Sequence, residues 1–144
     1  MYKRILVPID GGKLSERAIH ASIELALQLG AAITGFAVGP MPSAFRRSRV
    51  PDEDEDDDEI ATTPGAREAM AKFESCAQAA GVPYQGCFHQ ASRIDRAIIE
   101  AAESHGCDMI VMVTRGRGPF GEFLYGSQTK AVLASSKLPL LILK

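Results

Sequence analysis

The sequence predicts an α/β fold: a doubly wound sheet of five parallel strands in the order 3-2-1-4-5, with helices on both faces. Three observations carry this expectation. Strand-like apolar runs alternate with stretches of helical spacing along all 144 residues. The runs are continuously apolar rather than alternating, as strands are when both faces of a sheet are covered. Three of the four helical stretches stop at a glycine, the residue that most readily adopts the left-handed conformation of a helix end.

Taken in order, Tyr2 to Ile9 is an apolar, branched run bounded by Asp10-Gly11-Gly12, a first strand with a turn behind it. From Leu14 to Leu29, apolar residues recur at Leu14, Ala18, Ala21, Leu25 and Leu29. Those steps of three and four predict a helix, stopped by Gly30. Ala31 to Val38 returns to strand character. Residues 40–63 form an insertion expected to be mobile, since Asp52 to Glu59 is an unbroken run of eight acids. A helix resumes from Pro64 to Ala80, with Met70, Phe73, Ala77 and Ala80 on one face and Gly81 at its end. Tyr84 to Gln90 is a weaker strand carrying Gly86, which places it toward a sheet edge. Ser92 is the expected cap of the next helix, in which Ile94, Ala97, Ile98, Ala101 and Ala102 repeat at helical spacing up to Gly106. Asp108 to Thr114 is the strongest strand. A helix from about Phe123 to Ser135 and a last strand, Leu138 to Leu143, complete one domain over residues 1–144.

Composition narrows the classes of function. The formal net charge is −2, yet setting aside the eight acids of the run leaves 10 of the 18 acidic residues against 16 basic ones, a formal balance of +6. The basic residues form no stripe and the acidic run opposes polyanions, so nucleic acid is not an expected partner. No apolar stretch has the length of a membrane span and no signal peptide opens the chain, so neither a membrane nor secretion is expected and the cytoplasm is. Cys76, Cys87 and Cys107 are too widely spaced for a zinc ribbon or a redox pair. His20, His89 and His105 are scattered singly. No metal site, and no catalytic residue, is assigned.

In a 3-2-1-4-5 sheet, ligands bind beyond the carboxyl ends of the strands, in the crevice between strands 1 and 4 where the order reverses. The two most distinctive loops follow those strands. One is Asp10-Gly11-Gly12. The other begins at Thr114 and carries Arg115, Gly116, Arg117, Gly118 and Gly121 before Gly126-Ser127. Its glycines would let backbone N–H groups approach an anion, and its arginines match phosphate oxygens. The alternative is a surface loop with solvated arginines. The run Gly116 to Gly121 fits G-x-G-x-x-G, but no acidic residue lies about 20 positions on to hold a ribose, so a dinucleotide site is not supported. Ser15 and Ser127 do not sit in G-x-S-x-G and are not nucleophile-elbow serines.

The opening Ile5-Leu-Val-Pro-Ile-Asp10-Gly11, then Ser15-Glu-Arg-Ala18, resembles the universal stress protein family. Asp108 to Met112, Arg115-Gly116-Arg117, Gly126-Ser127 and the closing Leu138-Pro-Leu-Leu-Ile-Leu143 extend the likeness over the chain outside residues 40–63. Nucleotide-binding members carry G-x-x-G-(nine residues)-G-[S/T] after the fourth strand. Gly116, nine residues and Gly126-Ser127 match, while Val113 stands at the first glycine and Gly12 where the family usually has serine. The resemblance implies ATP, ADP or AMP, with Mg as an accompanying ion, bound by Pro8, Asp10, Val38, Met112, Arg115, Gly116, Arg117, Gly118, Gly126, Ser127, Gln128 and Thr129. Asp10 would meet the adenine or ribose, Val38 would pack on the base, and the loop residues would hold the phosphates. Any enzymatic activity would be at most slow ATP hydrolysis. The alternative is a nucleotide-free interaction protein of the same family, with Val113 impairing the pocket. An apolar strand ending the chain leaves an unpaired edge, and pairing with its twin gives a homodimer, as the resemblance also implies. The acidic run is expected either to be a solvated loop or to compete with phosphate for Arg115 and Arg117.

Overall fold

Apolar runs with no polar alternation can be strands only if something covers both faces, and here helices do. A computed structural model describes residues 2–11, 15–39, 64–90, 93–113 and 130–143. Its elements are β1 (Arg4–Ile9), α1 (Ser15–Leu29), β2 (Ala32–Gly39), α2 (Pro64–Ala80), β3 (Tyr84–Gln90), α3 (Ile94–Ser104), β4 (Met109–Val113) and β5 (Leu140–Leu143), with residues 130–135 also helical. The strands form one parallel sheet in the order β3-β2-β1-β4-β5, as expected. The insertion 40–63 lies outside the described residues.

Because side chains alternate along a strand, each strand feeds two cores. Ile5, Val7 and Ile9 of β1, with Ile33, Val111 and Val113, pack against Ile19 and Ile23 of α1 and Phe73 and Ala77 of α2. Leu6, Phe36, Ile110 and Met112 face the other way, onto Ile98, Ala101 and Ala102 of α3 and Val132. All five residues of β4 are buried. No described helix is long and apolar enough to cross a membrane.

The glycine stops act through one shared geometry. Gly30, Gly81 and Gly106 have φ of 66°, 77° and 66°. In each case the N–H of the following residue reaches back five positions: Ala31 to Ala26 O at 2.9 Å, Val82 to Ala77 O at 2.9 Å and Cys107 to Ala102 O at 2.8 Å. This six-to-one bond satisfies a carbonyl that the helix end would otherwise orphan. At the opposite end of the sheet from the crevice, the Asp108 carboxylate accepts from the N–H groups of Lys3 (2.8 Å) and Arg4 (3.2 Å), which sets the start of β4 against β1.

The start of α3 differs from the sequence expectation. Arg93, in an extended conformation, occupies the cap position without a side-chain cap bond, and Ser92 lies outside the described residues. Asp95 of the first turn takes over the role. It is buried, and Arg93 Nη2 donates to its Oδ2 at 3.0 Å. Burial by itself would raise the carboxyl's pKa, but the Arg93 bond and charge and two backbone N–H groups outweigh it, and the pKa falls below the ordinary value. A carboxyl depressed in the folded state contributes stability above its unfolded pKa and loses it as pH falls through the folded one. Asp95→Asn is therefore expected to lower stability at pH 7 and to leave the difference vanishing in acid, below about pH 4. Urea titrations of both proteins across that range check this, and a constant difference would contradict it.

Candidate functional site

The seam between β1 and β4 is where the sheet's strand order reverses, and a single residue explains why the seam opens. Asp108 N–H donates to Arg4 O at 2.9 Å, so Arg4 turns its peptide groups toward β4. Alternation then turns those of Leu6 and Pro8 the same way. Proline has no N–H to give. The β1–β4 pairing covers only Ile5↔Met109 and Leu6↔Ile110, whereas β1 stays paired with β2 through Ile9↔Ala37 and β4 with β5 through Val113↔Leu143. The two central strands thus part over their carboxyl-terminal halves, with the Asp10 turn directly above the opening.

That turn is held by two hydrogen bonds and one close backbone contact. Gly11 N–H donates to Ser15 Oγ at 3.0 Å, and Ser15 Oγ donates to Asp10 Oδ1 at 3.4 Å. Ser15 is buried and begins α1, so the Asp10 carboxylate sits at a helix N-terminus, where negative charge is favoured. Gly11 has φ of 82°, and a Cβ there would meet the backbone of Gly65 and the N of Ala66, 2.5 Å away. The turn after β1 therefore packs backbone to backbone on the first turn of α2. Lys72 of α2 and Glu16 of α1 form an exposed ion pair at 2.6 Å between the same two helices. The Lys72 bond and charge hold the Glu16 carboxyl below the usual carboxylate range.

Of the residues expected at the site, the structure brings Pro8 and Asp10 to the opening. Val38 lies one residue before the end of β2, in register with His89. Met112 is buried in the core on the α3 face. Arg115, Gly116, Arg117, Gly118, Gly126, Ser127, Gln128 and Thr129 lie outside the described residues. Val113, only 5% exposed, belongs to the core on the α1 and α2 face, together with Ile9 and Val111. Ser15 and Gly65 were not expected as parts of the site. A serine opening a helix is a legible signal for Ser15. No local pattern foretells the Gly11–Gly65 contact, because it joins residues from different elements. Among the described residues no cluster of three or more His, Cys, Asp or Glu could hold a metal.

Residues 1–144 match the model of the universal stress protein family. A universal stress protein of Thermus aquaticus is 31% identical over 145 residues, covering all of both chains. Among solved structures, a universal stress protein in complex with cAMP superposes with a TM-score of 0.73 at 20% identity, over 99% of this chain and 97% of that one. A universal stress protein from Archaeoglobus fulgidus in complex with dAMP gives 0.68 at 20% identity, over 99% and 98%.

Proposed function

The chain belongs to the universal stress protein family, and on that premise we propose that it is a stress-response regulatory protein that binds ATP or a related adenine nucleotide between β1 and β4. The observation that carries this reading is the parting of β1 from β4 at Pro8, beneath a turn that presents Asp10. Ligands of doubly wound sheets occupy this place. The adenine nucleotides held by the cAMP- and dAMP-bound relatives support the ligand class.

In this reading Asp10 accepts from the adenine or the ribose, Pro8 and Val38 flank the base end, and Arg115 to Gly118 with Gly126 to Thr129 surround the phosphates, with Mg accompanying a triphosphate. The Ser15 bond orients the Asp10 carboxylate before a ligand arrives, which lowers the ordering cost of binding. Val113 favours this reading over a blocked pocket, because its methyls are already committed to the core. Bound nucleotide, or its slow hydrolysis, would act as a signal for a protein partner in the cytoplasm. A homodimer through β5 accompanies the proposal: β5 is a sheet edge, and Ile142 on it is 41% exposed. Sedimentation of a monomer at micromolar concentration would count against that dimer.

The test is retention. Purified protein is denatured and the supernatant analysed for ATP, ADP and AMP. Asp10→Ala is expected to weaken binding at least tenfold, since a lost charge-assisted hydrogen bond costs about 1.5–3 kcal/mol, and Gly116→Val to do the same by putting a branched side chain where the backbone would approach the phosphates. If both variants retain nucleotide as the parent does, the site is elsewhere.

A further inference from the structure

The outer edge of β3 is self-complementary, and we propose that it pairs antiparallel with β3 of a second copy of this chain, about a two-fold axis through Cys87. The proposal does not depend on nucleotide binding. Strand β3 ends the sheet, and among the described residues nothing pairs with its outer side. Ile33 N–H donates to Pro83 O at 2.8 Å in the register Ile33↔Tyr84. Alternation then turns the peptide groups of Gln85 and Cys87 inward to β2 and leaves those of Tyr84, Gly86 and Phe88 pointing out. Edge strands are usually blunted by charge or proline. Tyr84-Gln-Gly-Cys-Phe-His-Gln90 has no Lys, Arg, Asp, Glu or Pro, and Phe88 on it is 40% exposed.

Three features commit the edge to its own twin. A two-fold axis at Cys87 sets Phe88 of each copy opposite Gly86 of the other, an aromatic ring against a residue with no side chain. Beside this edge runs a groove of about 590 Å³, bounded by Arg67, Met70 and Glu74 of α2 on one side and Gly86 and Phe88 on the other. Met70 lies over Gly86, its Cε 3.0 Å from where a Cβ would stand. The middle of that helix face is therefore level with the axis, and Arg67 and Glu74 lie on either side of it, one turn each away. The same rotation brings Arg67 of each copy to Glu74 of the other, so the charges oppose twice in the favourable sense. The spacing also fits. With strands about 4.8 Å apart and α2 packed over β2 and β3, the two copies of α2 come to lie roughly 10 Å apart, near the distance at which helices pack.

Cys87 supplies the readout. Its peptide groups face inward, so Cys87 meets its twin as a non-hydrogen-bonded pair with Cα atoms about 4.5 Å apart, within disulfide reach. The full chain treated with diamide at alkaline pH is expected to give a disulfide-linked dimer on a non-reducing gel, and Cys87→Ser none. Arg67→Glu or Glu74→Arg alone should weaken the association at least tenfold and reduce the cross-link. The double variant Arg67→Glu/Glu74→Arg should restore both, because the swap recreates the same pairs. All three positions are exposed or half-buried, and circular dichroism checks that the variants fold. The cross-link reads β3 alone, whatever β5 does. Absence of a Cys87 link in the parent at high micromolar concentration, or a double variant as weak as the single ones, would overturn the proposal.

Discussion

Gly11→Ala is expected to destabilise the fold by about 3 kcal/mol or more, the larger part of it from a collision and the smaller from backbone conformation. The left-handed φ of 82° costs a side-chain-bearing residue about 1–2 kcal/mol. The new Cβ would then press on the carbonyl and nitrogen atoms of Gly65 and Ala66, which belong to the first turn of a 17-residue helix and cannot rotate away. Gly30 is the control. Its φ of 66° is equally left-handed, but a Cβ there meets nothing within 4 Å. Gly30→Ala should cost only the conformational part, about 1–2 kcal/mol. Urea denaturation of the two variants separates the terms. Equal losses would mean that α2 does not press on the turn, and the description of the Asp10 site would be wrong with it.

The second large effect is expected at Gly35, where β2 passes under the ring of Tyr84. A Cβ at Gly35 would collide with the Tyr84 hydroxyl and stand 2.9 Å from Cε2 and Cζ. The register partner of Gly35 is Gly86, so the ring lies across two neighbouring strands at a point where neither carries a side chain. It is not free to swing aside. Phe73, fully buried, packs against it with ring centroids 5.0 Å apart and the planes tilted by 42°, and the Tyr84 hydroxyl donates to Met70 Sδ at 3.6 Å. Burial also pushes the phenol's pKa well above the ordinary tyrosine value, so the ring stays neutral. Gly35→Ala is expected to cost about 2–3 kcal/mol, as overpacking of a well-filled core does. The collision disappears in a Tyr84→Leu background, and there the same substitution should cost less than about 1 kcal/mol. A double-mutant cycle measures the difference, and an additive result would remove Tyr84 from the explanation.

These two positions also mark where the sequence is legible and where it is not. Helix ends were legible because the signal is local: Gly30, Gly81 and Gly106 each stop a periodic run, and each adopts the conformation that only glycine takes cheaply. Strand order was legible because continuous apolar runs require cover on both sides. Strand starts were read too early, at Tyr2 and Leu138 rather than Arg4 and Leu140, since apolar character does not distinguish a paired residue from one leading into a strand. Gly86 signals the sheet edge at which β3 lies, but the contacts that require Gly35 and Gly11 are not legible. Gly35 and Gly11 are required by Tyr84 and Gly65, which lie about 50 residues away, and periodicity carries no information about such partners. At the site, the turn is readable from Asp10-Gly11-Gly12, and the reversal of strand order beside it from the expected order 3-2-1-4-5. The role of Ser15 as both donor and acceptor needed coordinates.

The Gly11–Gly65 contact has a consequence for how this chain tolerates change. Strand β2 ends at Gly39 and α2 begins at Pro64, and the first turn of that helix is wedged against the loop that carries Asp10. A slip of one residue at Pro64-Gly65 would be felt at the aspartate before it was felt anywhere in the core.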